Sequence, residues 1–156
     1  MPPQFWLVKT EPDVFSFDDL WCAPKRTTAW DGVRNYQARN YLRDGLRLKD
    51  QVLVYHSSCE PSGVVGLAQV VREAYADPTQ FEPGHAHADP ASSRQAPRWV
   101  CVDLQATRKL ERLVSLAQMK ADPQLKGLAL LQRGSRLSVQ PVSSEHWQRV
   151  LQLGSK

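Results

Sequence analysis

The sequence predicts an α+β domain built on a small, mostly antiparallel β-barrel or strongly bent sheet with short flanking helices. Short apolar runs of strand-favouring residues recur along the chain, and brief helical signals are set between them. The third observation is length: 156 residues can bury one real core but not comfortably two. A hydrophobic fraction of 42% against 23% charged residues is that of an ordinary globular protein and excludes wholesale disorder. With no repeat and no linker, residues 1–156 read as a single domain.

Phe5-Trp6-Leu7-Val8 reads as a buried opening strand, closed by polar Lys9-Thr10-Glu11 and then Pro12. Pro12 lacks a backbone donor and disfavours helical angles at Glu11, so the chain must turn there. Ser16 to Leu20 predicts a short helix, with Ser16 as N-cap and Asp19 at the third position. A second helix is expected from Gln37 to Leu42, capped by Asn35 and ended near Gly45. Strands over Gln51–His56 and Val64–Val71, joined by the turn-rich Ser57–Gly63, predict a hairpin. Asp77 to Pro97, rich in Pro, Ala, Ser and His, reads as a long surface excursion. A strand resumes over Trp99–Leu104, Ser115 starts a helix through about Lys120, and Arg136–Val139 is the last strand. Ser144 is the expected cap of a closing helix with Trp147, Val150 and Leu151 on one apolar face.

The net charge of +4 and pI near 9.1 are weak pointers to an anionic partner; their distribution says more. Between Lys25 and Lys49, Lys25, Arg26, Arg34, Arg39, Arg43, Arg47 and Lys49 outnumber Asp31 and Asp44. Cys22, Cys59 and Cys101 are far apart and odd in number, which predicts reduced thiols with neither a zinc knuckle nor a disulfide frame. The N-terminus lacks the pattern of a signal peptide, and the apolar runs are too short to span a bilayer. The expectation is a soluble, cytoplasmic monomer that meets no membrane and carries no cofactor or metal.

Trp30-Asp31-Gly32-Val33-Arg34-Asn35-Tyr36-Gln37-Ala38-Arg39-Asn40 is the most informative run. It combines a large aromatic, a glycine turn, two guanidinium groups and three amides. An aromatic face stacks on a planar heterocycle, amides read its edge, and arginines hold phosphate. Asn35 either caps the helix that follows or aims its amide at a base, and Gln37 either lines a pocket or is solvated. Lys25, Arg26, Arg34, Arg39 and Arg43 are the candidates for nucleic-acid backbone contact; for Arg34 and Arg39 the alternative is ion pairing with Asp31 or Asp44. Lys9, Thr10 and Glu11 end a strand where a barrel mouth would lie, but consecutive strand residues alternate in direction. They converge on one ligand only if the strand bends at Pro12. His56 and Ser57 are neighbours too, which argues against a catalytic pair and for one of them lining a pocket. His85, His87 and Asp89 invite a metal reading, yet an Ala/Pro-rich loop cannot preset coordination geometry and no fourth ligand is evident.

Several motifs taken in order resemble the EVE domain, a family of the PUA-like superfamily related to the YTH readers of methylated adenine. They are Trp6–Pro12, Trp30–Asn40, Tyr55-His56-Ser57, Val65-Gly66-Leu67-Ala68 and Arg136–Val142, and they cover nearly the whole chain. The resemblance implies a PUA-like β-barrel with a pocket for a modified nucleobase, a modified cytosine in DNA or possibly RNA. It supports Trp30 and Trp99 as aromatic walls, and it alone assigns Tyr55, Leu137 and Ser138 to the pocket rim. Gly84-His85-Ala86-His87-Ala88-Asp89 departs from the family's pattern at a loop that flanks the pocket mouth. The expected function is a non-enzymatic reader of a modified base in nucleic acid. The alternatives are an amidohydrolase of the PUA-like ASCH type, acting on an acylated cytidine through Lys9-Thr10-Glu11, and a nucleic-acid-binding module without base selectivity.

Overall fold

The computed structural model describes residues 2–133 and 137–155. Six strands form one mixed sheet: β1 (Phe5–Thr10), β2 (Thr27–Ala29), β3 (Gln51–His56), β4 (Gly63–Ala76), β5 (Val100–Ser115) and β6 (Val139–Val142). Their spatial order is β2-β5-β4-β3-β1-β6. β1 and β3 run parallel, and the other neighbouring pairs are antiparallel. Four short helices accompany them: α1 (Phe17–Trp21), α2 (Tyr36–Asn40), α3 (Leu116–Lys120) and α4 (Ser144–Gly154). Among the described residues no helix is long and apolar enough to cross a membrane.

The apolar runs of β1 and β3 follow from burial on both faces of the sheet. Trp6, Val8, Val52 and Val54 face one core cluster with Phe17, Leu20, Trp30 and Leu104. Leu7, Leu53 and Tyr55 alternate to the opposite cluster, with Met119, Leu125, Trp147 and Val150. Polar caps set the helix starts. Ser16 and Asp19 form a reciprocal capping box on α1, and the Asn35 side chain accepts from Ala38 N at the start of α2. Gly66 lets the Phe17 ring lie directly against β4; a Cβ there would overlap the ring.

The sheet corrects the expected barrel. Its edges are β2 and β6, only 3 and 4 residues long, and among the described residues no ladder joins them. β4 and β5 run to 14 and 16 residues, well beyond the expected strands. Their register shifts at four points, and such bulges bend and coil a ribbon. β2 carries little apolar pattern and was not expected at all. Leu137 and Ser138 precede the last strand, which starts at Val139; Arg136 lies outside the described residues. Ser143, one residue earlier than expected, caps α4 by accepting from His146 N.

Candidate functional site

The edges that fail to meet leave a hollow between them. A cleft of about 560 Å³ is lined by Thr28 and Ala29 of β2, by Ser138 just before β6, and by Lys9 and Thr10 at the end of β1. The segment Trp30–Asn35 forms one wall, and Val14, Phe15, His85 and His87 complete the rim. Of the residues expected at a ligand, the structure thus gathers Lys9, Thr10, Trp30, Asn35 and Ser138. Both Lys9 and Thr10 reach the cleft although strand neighbours diverge, because β1 stops there and the hollow lies off its end. The Thr10 hydroxyl donates to Phe15 O at 2.7 Å, which folds the turn after Pro12 back onto the rim. Glu11 is exposed and outside the lining; its carbonyl accepts from Val14 N and Phe15 N.

Trp30 is 7% exposed, packed into the first core cluster while still lining the cleft. Phe15 meets it edge-on, at 6.1 Å and 83°, a favourable arrangement for two quadrupoles. Gly32 has φ +80°, and a Cβ there would sit 2.8 Å from His87 Nε2. Glycine therefore supplies both the turn and the room for that imidazole. Asn35 caps α2 through Oδ1, which leaves its NH₂ group uncommitted.

Asp77 holds this wall in place. Its fully buried carboxylate accepts from Gly32 N, Arg34 Nη1, Thr79 N and Thr79 Oγ1. Burial pushes its pKa up, but the bonds from Thr79, Gly32 and Arg34 prevail and hold it below the usual carboxylate value. Arg34 also donates to Val33 O, to Thr79 Oγ1 and twice to His87 O. Its five N–H groups are all engaged, so none remains for the phosphate expected of it. Its ion pair is with Asp77 at 3.0 Å, not with Asp31 or Asp44.

The remaining candidates lie elsewhere. Tyr55 belongs to the opposite core cluster, because alternation along β3 turns it to the other face. Trp99 braces the long loop: its Nε1–H donates to Asp89 Oδ2 at 2.7 Å, and Tyr36 stacks on it at 4.9 Å. Leu137 packs on the first cluster, Ser57 N donates to Thr10 O, and Gln37 is exposed on α2. His56 lines a second, smaller cleft of about 270 Å³ with Asp18 and Lys109.

His56 Nε2 accepts from Phe17 N at the first turn of α1, at 3.0 Å. Burial depresses its pKa, partly offset by Asp18. A neutral acceptor is thus favoured in the fold, and its stabilisation is complete above the unfolded value near 6.5. It is lost as pH falls from there through the lower folded pKa. Denaturant titrations between pH 8 and 5 are expected to show a smaller acid-side loss of stability in His56→Gln than in the parent. Equal slopes would remove this role for His56.

Of the cations, Arg43 is exposed and paired with Asp44 at 2.9 Å, while Arg39 donates to Arg98 O and lies over Tyr36. Lys25 and Arg26 are exposed in the turn directly before β2, with Arg26 over the Trp21 ring at 3.6 Å. Lys109 of β5 shares the Trp21 ring with Arg26, at 5.3 Å, but is paired with Asp18 at 3.2 Å. Among the described residues no group of three His, Cys, Asp or Glu side chains is placed to hold a metal ion.

The model of the EVE domain matches residues 4–153. This chain belongs to the EVE domain family. Thymocyte nuclear protein 1 from Homo sapiens is 43% identical over 168 residues, spanning 97% of this chain and 74% of the relative. Among solved structures, human THYN1 protein in complex with 5-methylcytosine containing DNA superimposes with a TM-score of 0.92 at 42% identity, covering 98% of each chain. A Pseudomonas syringae protein gives 0.90 at 40% identity, covering 96% of this EVE domain and 98% of that chain. The Zymomonas mobilis ASCH protein matches at a TM-score of 0.56 and 12% identity, a likeness of fold alone.

Proposed function

We propose that this EVE domain reads a modified cytosine in DNA: a base swung out of the stack enters the cleft between the sheet edges, and no bond is broken. One observation carries the reading. The hollow lined by Trp30, Phe15, Lys9, Asn35 and Ser138 belongs to a chain that closely matches a protein crystallised with 5-methylcytosine DNA. Base extrusion exposes a π face and a hydrogen-bonding edge, which the aromatic pair and the polar rim suit. Lys25 and Arg26, beside the β2 wall, are positioned to follow the phosphates. Glu11 outside the lining counts against a Lys–Thr–Glu amidohydrolase, and incubation with acylated cytidine is expected to release no acid.

Fluorescence anisotropy with duplexes identical except for one 5-methylcytosine tests the reading. The methylated duplex is expected to bind tighter, and equal affinities for both would remove it. Trp30→Leu keeps apolar bulk in the core and deletes the indole. It is expected to weaken the methylated complex by roughly 5- to 150-fold, the size of one lost base stack.

A further inference from the structure

A cytosine and a thymine that carry the same methyl group differ only along their hydrogen-bonding edge. Cytosine presents an amine donor at N4 beside an acceptor at N3, whereas thymine presents a carbonyl at O4 beside an N–H. A pocket that feels only the methyl and the ring face would admit either base. Hydrolytic loss of the amine turns 5-methylcytosine into thymine, so such a pocket would confuse a mark with its decay product.

Among the described residues that line the cleft, Asp31 is the one carboxylate and Lys9 the one ammonium. Neither side chain has an ion-pair partner there, and no ion pair joins the two. Arg34, the other cation of the wall, is wholly engaged with Asp77, Thr79, Val33 and His87. The backbone of Asp31 is fixed from both sides, by Trp30 N on Val102 O and by Gly32 N on Asp77. An acceptor carried on a fixed backbone and a separate donor therefore share one hollow with an aromatic pair. Burial raises the pKa of Asp31 and the Asp77 carboxylate adds to this, while burial lowers that of Lys9. Lys9 is half-buried and Asp31 stays exposed at the rim, so the side chains are open to a ligand, and each gains from one that meets its charge.

We propose, building on the reading of this cleft as a modified-cytosine pocket, that Asp31 selects an amino-bearing base over a keto base. Its carboxylate accepts from the N4 amine while Lys9 donates to a ring acceptor on the same edge. Thymine sets O4 against the carboxylate, acceptor against acceptor, and leaves Asp31 partly dehydrated without a donor. Well-placed edge contacts of this kind discriminate bases by about 5- to 150-fold. Asparagine at the same position keeps the shape but can turn its NH₂ group toward O4, so it accepts either base.

The experiment measures anisotropy at one salt concentration on three duplexes that differ only at a central 5-methylcytosine, thymine or cytosine, each placed opposite an abasic site so that no base pair has to be broken. It uses the parent chain and Asp31→Asn. Asp31 is exposed, so the variant is expected to keep the parental melting temperature. The parent should prefer 5-methylcytosine to thymine by about 5- to 150-fold, and Asp31→Asn should shrink that ratio to within about threefold, mainly by gaining thymine. An unchanged ratio in Asp31→Asn overturns the proposal and leaves the reader model standing. So does a parent that prefers 5-methylcytosine to cytosine yet binds thymine equally well. A parent with no preference for 5-methylcytosine over cytosine removes the reader model, and this proposal with it.

Discussion

Asp77→Ala is expected to destabilise the chain by about 3–5 kcal/mol and to weaken the proposed binding of methylated DNA. The magnitude is that of breaking a buried ion pair by removing one partner, which strands the other charge. Arg34 would lose its carboxylate at 3.0 Å, and Gly32 N and Thr79 N would lose their acceptor. For a chain of this size the melting temperature should fall by roughly 6–20 °C. The affinity loss follows because Asp77 ties the cleft wall at Gly32 to the excursion that carries His87. Differential scanning fluorimetry and anisotropy, the latter well below the melting point, check the two effects separately. A variant that melts lower but binds as the parent would break this link between buried carboxylate and cleft. The folded pKa lies below the ordinary carboxylate value. The Asp77 contribution is therefore complete at neutral pH and is lost only as the pH falls below that range.

Asp50→Ala is expected to cost a similar amount, about 3–5 kcal/mol, and to leave binding unchanged. Asp50 is 3% exposed and accepts from Gln4 N, Trp6 Nε1 and Arg47 N, each at 2.9 Å. Hydrogen bonds to a charged group are worth about 1.5–3 kcal/mol each, with part regained where water reaches the stranded donors. Asp50→Asn is expected to recover little. Gln4 uses Oδ1, whereas Trp6 and Arg47 use Oδ2; in either orientation the amide turns its NH₂ group toward a donor. The carboxylate staples the start of β1 to the start of β3, at the strand ends remote from the cleft. Urea unfolding measures the loss, and a fall in unfolding free energy under about 1 kcal/mol would contradict the role assigned to this carboxylate.

Much of the architecture was legible because burial and capping leave local traces. Phe5-Trp6-Leu7-Val8 had to be strand, since both faces of β1 are covered and each residue feeds a core. Ser16 with Asp19, and Asn35 before Ala38, marked helix starts, because a side-chain acceptor three residues ahead of an orphan N–H acts within one turn. β2 left no such trace: Thr27-Thr28-Ala29 is half-buried, and its partners Asp103–Gln105 on β5 lie half the chain away. The barrel expectation failed for the same reason. Closure depends on how two very short edge strands meet, and nothing local encodes that meeting.

At the site, composition named the chemistry while packing chose the residues. Trp30, Asn35, Lys9 and Ser138 share a cleft because β1, β2 and β6 end around it. Tyr55, His56 and Trp99 do not, because alternation, a helix cap and a loop brace claim them first. Asp31 and Phe15 went unassigned to the cleft, their proximity being set by Asp77, Arg34 and the Pro12 turn.

The sequence by itself determined the α+β class, the order of most strands and helices, the family, and an aromatic–amide–arginine run suited to a base. Only the tertiary structure decided that the sheet stays open, that the hollow sits between its edges, and that Arg34 is a strut instead of a phosphate contact. The division is physical. Periodicity and caps act over a few residues and are written locally, whereas a cleft and an ion pair between positions 34 and 77 exist only once distant segments have packed.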